Sequence, residues 1–130
     1  YWWDTATGER LKRIGGHNEA VHELFTSNDG SVIGSCGGDG AFRLWNPKLM
    51  DSVRTIPVRS PVFCGSFSKD AKRVAVGCSY GMTRLIETET GRVLATLVAL
   101  SQDEWFVVTP EGYFNVGKDL EKNLRWRAGS

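Results

Sequence analysis

Cysteine, proline and histidine are all scarce in this 130-residue chain, and each scarcity narrows what the protein can be. The three cysteines, Cys36, Cys64 and Cys78, are an odd set without a CxxC pair, each within an apolar strand-like run. That pattern argues against a disulfide framework and for buried free thiols in a reducing compartment. Four prolines against fifteen glycines, scattered among short apolar runs, favour tight turns over long helices. Long hydrophobic runs are missing: none approaches the roughly 20 residues of a membrane span. An excess of one charge is missing too. Sixteen basic and 15 acidic side chains leave a net charge of +1, without the basic face that a nucleic-acid partner needs. Of the two histidines, His22 has no ligand companion at i+4, so it reads as a surface or edge residue and no metal site is expected. The chain opens at Tyr1 without an initiator methionine, so an upstream targeting signal would not be seen; the free thiols make a cytoplasmic location the expectation.

What is present is a repeat. A hydrophobic fraction of 41% and a charged fraction of 24% are ordinary for one globular domain. Set against itself at an offset of 41, the run from Val21 to Gly30 aligns with Val62 to Ala71, pairing Val21 with Val62, Ser27 with Ser68 and Asp29 with Asp70. A second step reaches Thr109-Pro110-Glu111-Gly112, which matches Ser27-Asn28-Asp29-Gly30, and Arg43, Arg84 and Arg125 share the spacing. Thr5-Ala6-Thr7-Gly8 returns as Thr88-Glu89-Thr90-Gly91.

Each unit reads as four short strands. The clearest has Ala20–Thr26, Val32–Gly37, Ala41–Trp45 and Ser52–Val58, with Asn28-Asp29-Gly30 and Gly38-Asp39-Gly40 as hairpin turns. The next has Val62–Ser68, Arg73–Cys78, Met82–Glu87 and Arg92–Val98, and its apolar run Val74 to Cys78 suits an inner strand covered on both faces. The last is worn: Trp105–Thr109, Tyr113–Val116 and Leu124–Arg127, with the hairpin signature lost over Lys118–Lys122. Four strands in about 40 residues is the plan of a β-propeller blade.

Gly16-His17, Ser35, Asp39-Gly40 and Trp45-Asn46, with Trp3-Asp4 closing an earlier unit, resemble the WD-repeat family, and the resemblance covers nearly the whole chain. The stretch from Asp103 to Phe114 is similar to the tail of propellers in large bacterial proteins, some of which continue into caspase-like or other effector domains. The expected architecture is all-β: about three repeats of four antiparallel strands in an incomplete propeller. Residues 1–16 end one blade, 17–58 form a full blade, 59–98 a degenerate full blade and 99–130 a partial one. Missing blades would come from a parent chain or from self-association.

Asp39, His17, Ser35 and the Trp45 indole can form one chain of hydrogen bonds, as the family resemblance also implies. A Ser/His/Asp set invites a hydrolase reading with Ser35 as nucleophile. Ser35, however, falls mid-strand in a buried sheet without a nucleophile elbow. One repeat later His17, Ser35, Asp39 and Trp45 become Val58, Val76, Tyr80 and Ile86. Replacing all four together avoids stranding half a buried network, at about 1–3 kcal/mol per unsatisfied group. The set therefore reads as structural, and no catalytic residue, cofactor or metal is expected.

Binding on a propeller uses the loops at one end of the channel. Here these centre on Asn18-Glu19, Arg59-Ser60, Ser79-Tyr80 and Ser101-Gln102. Tyr80 stands out because it replaces a turn carboxylate; the alternative is local packing beside Ile86. The periodic arginines are expected at blade-to-blade contacts or in solvent, and the five tryptophans, Trp2, Trp3, Trp45, Trp105 and Trp126, mostly in blade packing, with Trp2 exposed where its blade is cut. The expected function is a non-catalytic scaffold for a protein or peptide partner, with neither nucleic acid nor membrane involved. Alternatives are a regulatory or sensor part of a larger signalling or effector protein, caspase-like or kinase-linked, and an enzyme working at the channel.

Overall fold

The computed structural model describes residues 1–101 and 104–117, and among them every regular element is a β-strand. β1 (Trp2–Trp3) and β2 (Arg10–Lys12) form a hairpin. β3 (Val21–Thr26), β4 (Ile33–Gly37), β5 (Ala41–Asn46) and β6 (Asp51–Pro57) form an antiparallel sheet in sequence order. β7 (Val62–Phe67), β8 (Arg73–Cys78), β9 (Met82–Glu87) and β10 (Val93–Ala99) repeat that sheet, and β11 (Trp105–Val108) and β12 (Phe114–Val116) extend it to six strands. Among the described residues the sheets do not close into a ring.

The repeat extends to the hydrogen-bond register. Val21 pairs with Gly37 and Phe25 with Gly34; 41 residues on, Val62 pairs with Cys78 and Ser66 with Ala75. A bulge falls at the same place in each, between Val21 and Glu23 and between Val62 and Cys64. The inner turns are alike because the same side chains build them. The Ser27 hydroxyl donates to Asp29 at 2.7 Å while its oxygen accepts the Val32 N–H; Ser68 does the same with Asp70 at 2.6 Å and the Arg73 N–H. These local bonds satisfy backbone groups that a tight turn would otherwise strand.

The core lies between the two sheets. Cys36, Phe42, Leu44, Ile56 and Val58 come from the first, and Val62, Val74, Val76, Cys78 and Ile86 from the second. Phe25 crosses the gap, stacked on Phe42 at 5.9 Å and tilted against Phe67 at 5.0 Å. Its ring occupies space where a Cβ on Gly34 or Gly65 would stand, at 2.6 and 2.4 Å. Beside it, Glu23 accepts the Gly65 N–H at 2.6 Å, capping a donor on the open edge of β7.

The third unit departs from the expected separate blade. β11 zips onto β10 from Thr96↔Val108 to Ala99↔Trp105 and makes the second sheet six-stranded. The two crossings differ physically. After β6 the Val58 and Arg59 N–H groups both donate to the Gly40 carbonyl, Arg59 takes a φ of 60°, and Pro61 has no N–H with which to zip a hairpin. After β10 the Leu100 and Ser101 N–H groups turn back to the Glu104 carbonyl, which closes a hairpin instead.

Two further expectations need correction. Cys64 is exposed, its sulfur lying over Gly77, whereas Cys36 and Cys78 are buried; all three are free. Burial pushes the Cys36 thiol up to about 12. Of the four described tryptophans, Trp45 is buried, Trp3 and Trp105 are exposed, and Trp2, expected to be exposed, is half-buried. Leu124–Arg127, Lys118–Lys122, Arg125 and Trp126 lie outside the described residues.

Candidate functional site

β4 and β5 bring Ser35 and Trp45 to one face of the first sheet, and the turn between them carries Asp39. His17, from the segment entering β3, completes the set. The His17 Nδ1 lies 2.7 Å from Asp39 Oδ1, its Nε2 lies 2.8 Å from Ser35 Oγ, and the Trp45 Nε1–H donates to Ser35 Oγ at 2.9 Å. The acceptor-only carboxylate assigns the proton to Nδ1, so Nε2 accepts from the Ser35 hydroxyl. The other carboxylate oxygen accepts the Asn18 N–H at 3.0 Å, and Oδ1 also accepts the Ala41 N–H at 3.2 Å.

Burial alone would raise the Asp39 carboxyl. The hydrogen bonds from His17, Asn18 and Ala41 outweigh it and hold the group down to about 2, from 3.8. A depressed carboxylate stabilises the fold above its unfolded value and loses that contribution as pH falls through the folded one. The stability difference between the parent and Asp39→Asn should therefore be full above about pH 4 and shrink between about pH 4 and 2. Urea unfolding of both proteins at several pH values reads it; a constant difference down to pH 2 would rule out a depressed Asp39.

Two residues bear on the set that sequence reasoning did not single out for it. A Cβ on Gly37 would stand 2.2 Å from His17 Nδ1 and 2.7 Å from Asp39 Oδ1, so only glycine allows this approach. The signal was in the repeat: Gly37 becomes Cys78 where the polar set is absent. Arg43 is the other, its guanidinium 3.5 Å from Asp39 Oδ2. Its counterpart Arg84, with Tyr80 in place of the carboxylate, donates instead to the Val58 carbonyl in the neighbouring sheet.

The rim is one chain of loops. Asn18-Glu19 meets the Gly38–Gly40 turn, Gly40 meets Arg59-Ser60, Pro61 accepts the Ser79 N–H, and Gly81 exchanges backbone contacts with Ala99. Asn18, Glu19 and Arg59 are exposed and Ser60 is half-buried. Tyr80 is 88% exposed at a φ of 61°, while Ile86 is fully buried, so its ring does not pack beside Ile86. Gln102 lies outside the described residues. His22 is exposed and packs its ring 5.0 Å from Phe63. No group of three or more His, Cys, Asp or Glu is placed to hold a metal ion among the described residues, and none of their helices is long and apolar enough to cross a membrane.

Repeated four-stranded antiparallel units, each on a 41-residue period, with a Gly-His to Trp-Asn polar set in the first, define the class: WD-type propeller blades. Comparison with known proteins agrees. WD repeat-containing protein 3 of Mus musculus is 28% identical over 109 residues, covering 82% of this chain and 11% of its own length. Periodic tryptophan protein 2 of Saccharomyces cerevisiae is 29% identical over 96 residues, covering 73% and 10%. WD repeat-containing protein 18 of Rattus norvegicus is 43% identical over 56 residues, covering 43% and 12%. No family model matches the chain. The chain is similar to WD-repeat proteins over most of its length. It spans about a tenth of the length of each of these three relatives.

Proposed function

We propose that this segment is a non-catalytic scaffold that meets a protein or peptide partner through the rim, with Tyr80 and Arg59 as anchors. Tyr80 carries the reading. A bulky side chain held at left-handed φ costs about 1–2 kcal/mol, and here it leaves an aromatic ring in solvent, on a loop tied to the Arg59 loop by the Ser79 N–H to Pro61 carbonyl bond; Arg59 is itself at a φ of 60°. Strain kept at an exposed position suits a recognition site, and Tyr and Arg are frequent hot-spot residues. Asn18, Glu19 and Ser60 flank the pair along the rim, with Gln102 the further member expected there. In this reading residues 17–58 and 59–98 are the two whole blades, 1–16 the end of a preceding one and 99–130 part of a following one. Relatives named for WD repeats support a scaffold in general terms.

The polar set is then a clasp. Ser35 is 1% exposed and its oxygen already accepts the Trp45 indole N–H, which leaves no free nucleophile for the hydrolase reading. No described residue set favours the signalling-module reading or an enzyme at the channel. The test is affinity capture with the parent chain and Tyr80→Ala/Arg59→Ala. Loss of the bound partner with an unchanged melting temperature is expected. Retention of the same partner by the double variant would contradict the rim assignment, and a large drop in melting temperature would return Tyr80 to a packing role.

A further inference from the structure

At one position of the repeat an arginine is kept while the carboxylate that serves it is not. Arg43 and Arg84 sit in the same register, Arg43 opposite Ser35 and Arg84 opposite Val76. In the first sheet the Arg43 guanidinium has Asp39, four residues back, at 3.5 Å. In the second, Tyr80 takes the place of Asp39 in the sequence, and the turn itself changes. Gly37 to Gly40 turns with only Gly40 at positive φ. Ser79 to Met82 turns with Tyr80 at 61° and Gly81 at 68°, and the Met82 N–H donates to the Ser79 carbonyl. Two left-handed central residues make a type I′ turn, which favours Asn-Gly or Asp-Gly over Tyr-Gly. The change turns residue 80 outward: Asp39 is tucked against His17, whereas Tyr80 stands in solvent.

Arg84 is thereby a half-buried cation without an anion. Its Nη1 donates to the Val58 carbonyl, and its Nε is buried without a partner. The Arg43 Nε is buried in the same way, but Asp39 balances that charge. A neutral amide could make the single bond to Val58, so the bond does not explain a desolvated charge. It does place Arg84 at the root of Arg59. The Ser79 N–H on the Pro61 carbonyl ties the Tyr80 turn to the other end of the same short segment. Among the described residues, neither Arg59 nor Arg84 has an acidic side chain within ion-pairing distance. Glu19, the other rim carboxylate, lies over Gly38 with His22.

Resting on the rim reading, we propose that its partner is an acidic peptide segment. An Asp or Glu carboxylate of that peptide is received by Arg84 and Arg59, and an adjoining residue packs on the Tyr80 ring. Arginine forks recognise carboxylates with two parallel bonds, so the partner's carboxylate takes the part that Asp39 plays for Arg43. A nucleic-acid backbone fits less well. A run of phosphates needs a basic face, and this chain has a net charge of only +1 with Glu19 on the same rim.

A phage library of random dodecapeptides, panned on the 130-residue chain, tests it. The enriched peptides should be rich in Asp and Glu, and once synthesised should bind more weakly as salt is raised. Arg59→Glu should weaken them by about tenfold, since charge reversal turns an attraction into a repulsion, with the parent's melting temperature. Arg84→Gln, which can still donate to the Val58 carbonyl, should weaken them and flatten the salt dependence; if it lowers the melting temperature, Arg59→Glu alone decides. Neutral or basic peptides that still need Tyr80 would overturn the acidic partner and leave the rim reading standing. Peptides indifferent to both Tyr80→Ala and Arg59→Glu would overturn both. A library that yields no binder would overturn the proposal, as would an oligouridine that displaces the peptides at equal concentration.

Discussion

Phe25→Ala should cost about 3 kcal/mol of folding stability, the low end of the range for truncating a core aromatic to alanine, because Phe25 is half-buried. Phe25 touches both sheets through aromatic contacts, with Phe42 in its own sheet and Phe67 in the next. Removing it opens a cavity that Gly34 and Gly65 have no side chains to fill. The converse change has the opposite cause. Gly65→Ala would push a methyl to within 2.4 Å of the Phe25 ring, which Phe42 and Phe67 prevent from moving aside. In Phe25→Ala/Gly65→Ala the added methyl occupies the vacated space, so the double variant should lose less than the sum of the single losses. Urea unfolding midpoints of the four proteins measure this. Strict additivity would mean that Phe25 and Gly65 do not share the interface.

Gly37→Ala is the second large effect. A Cβ at 2.2 Å from His17 Nδ1 cannot be accommodated, so the imidazole must leave, and the Ser35 hydroxyl and Asp39 Oδ1 lose their His17 partner. Each buried group left unsatisfied costs about 1–3 kcal/mol, and a total loss of about 2–4 kcal/mol follows. The same alanine should cost less in a His17→Val background, where the imidazole is gone and Asp39 Oδ1, at 2.7 Å, still stands close. Thermal and urea unfolding of the single and double variants check both. A cost undiminished by His17→Val would place the strain in the backbone of β4 and not in the polar set.

The elements themselves were legible because local chemistry dictates them. Glycine and aspartate punctuate the chain at fixed distances, and β3 to β10 fall within about a residue of the spans that the 41-residue period implies. What lay beyond reach was which neighbour a strand chooses. The period shows that β11 is equivalent to β3, but whether it crosses to a new sheet or folds back on β10 depends on the connection after Ala99, where nothing equivalent to Pro61 interrupts the zip. Side-chain direction was the other gap. Cys64 looked buried from its apolar surroundings, but the bulge at Val62/Cys64 sets its sulfur over Gly77 on the open face. Gly37 was passed over because the need for a glycine came from a side chain 20 residues away and not from its own backbone.

The central claim is that His17, Ser35, Asp39 and Trp45 act as one structural clasp, and a double-mutant cycle on His17→Ala and Ser35→Ala tests it most directly. If each hydrogen bond depends on the next, breaking either end strands the same partners. The two losses then overlap, with a coupling of about 1 kcal/mol or more. Each single variant should be less stable than the parent in urea, and the double variant little worse than either. Losses that add to within about 0.3–0.5 kcal/mol, or a His17→Ala protein that unfolds at the parent's midpoint, would contradict the clasp.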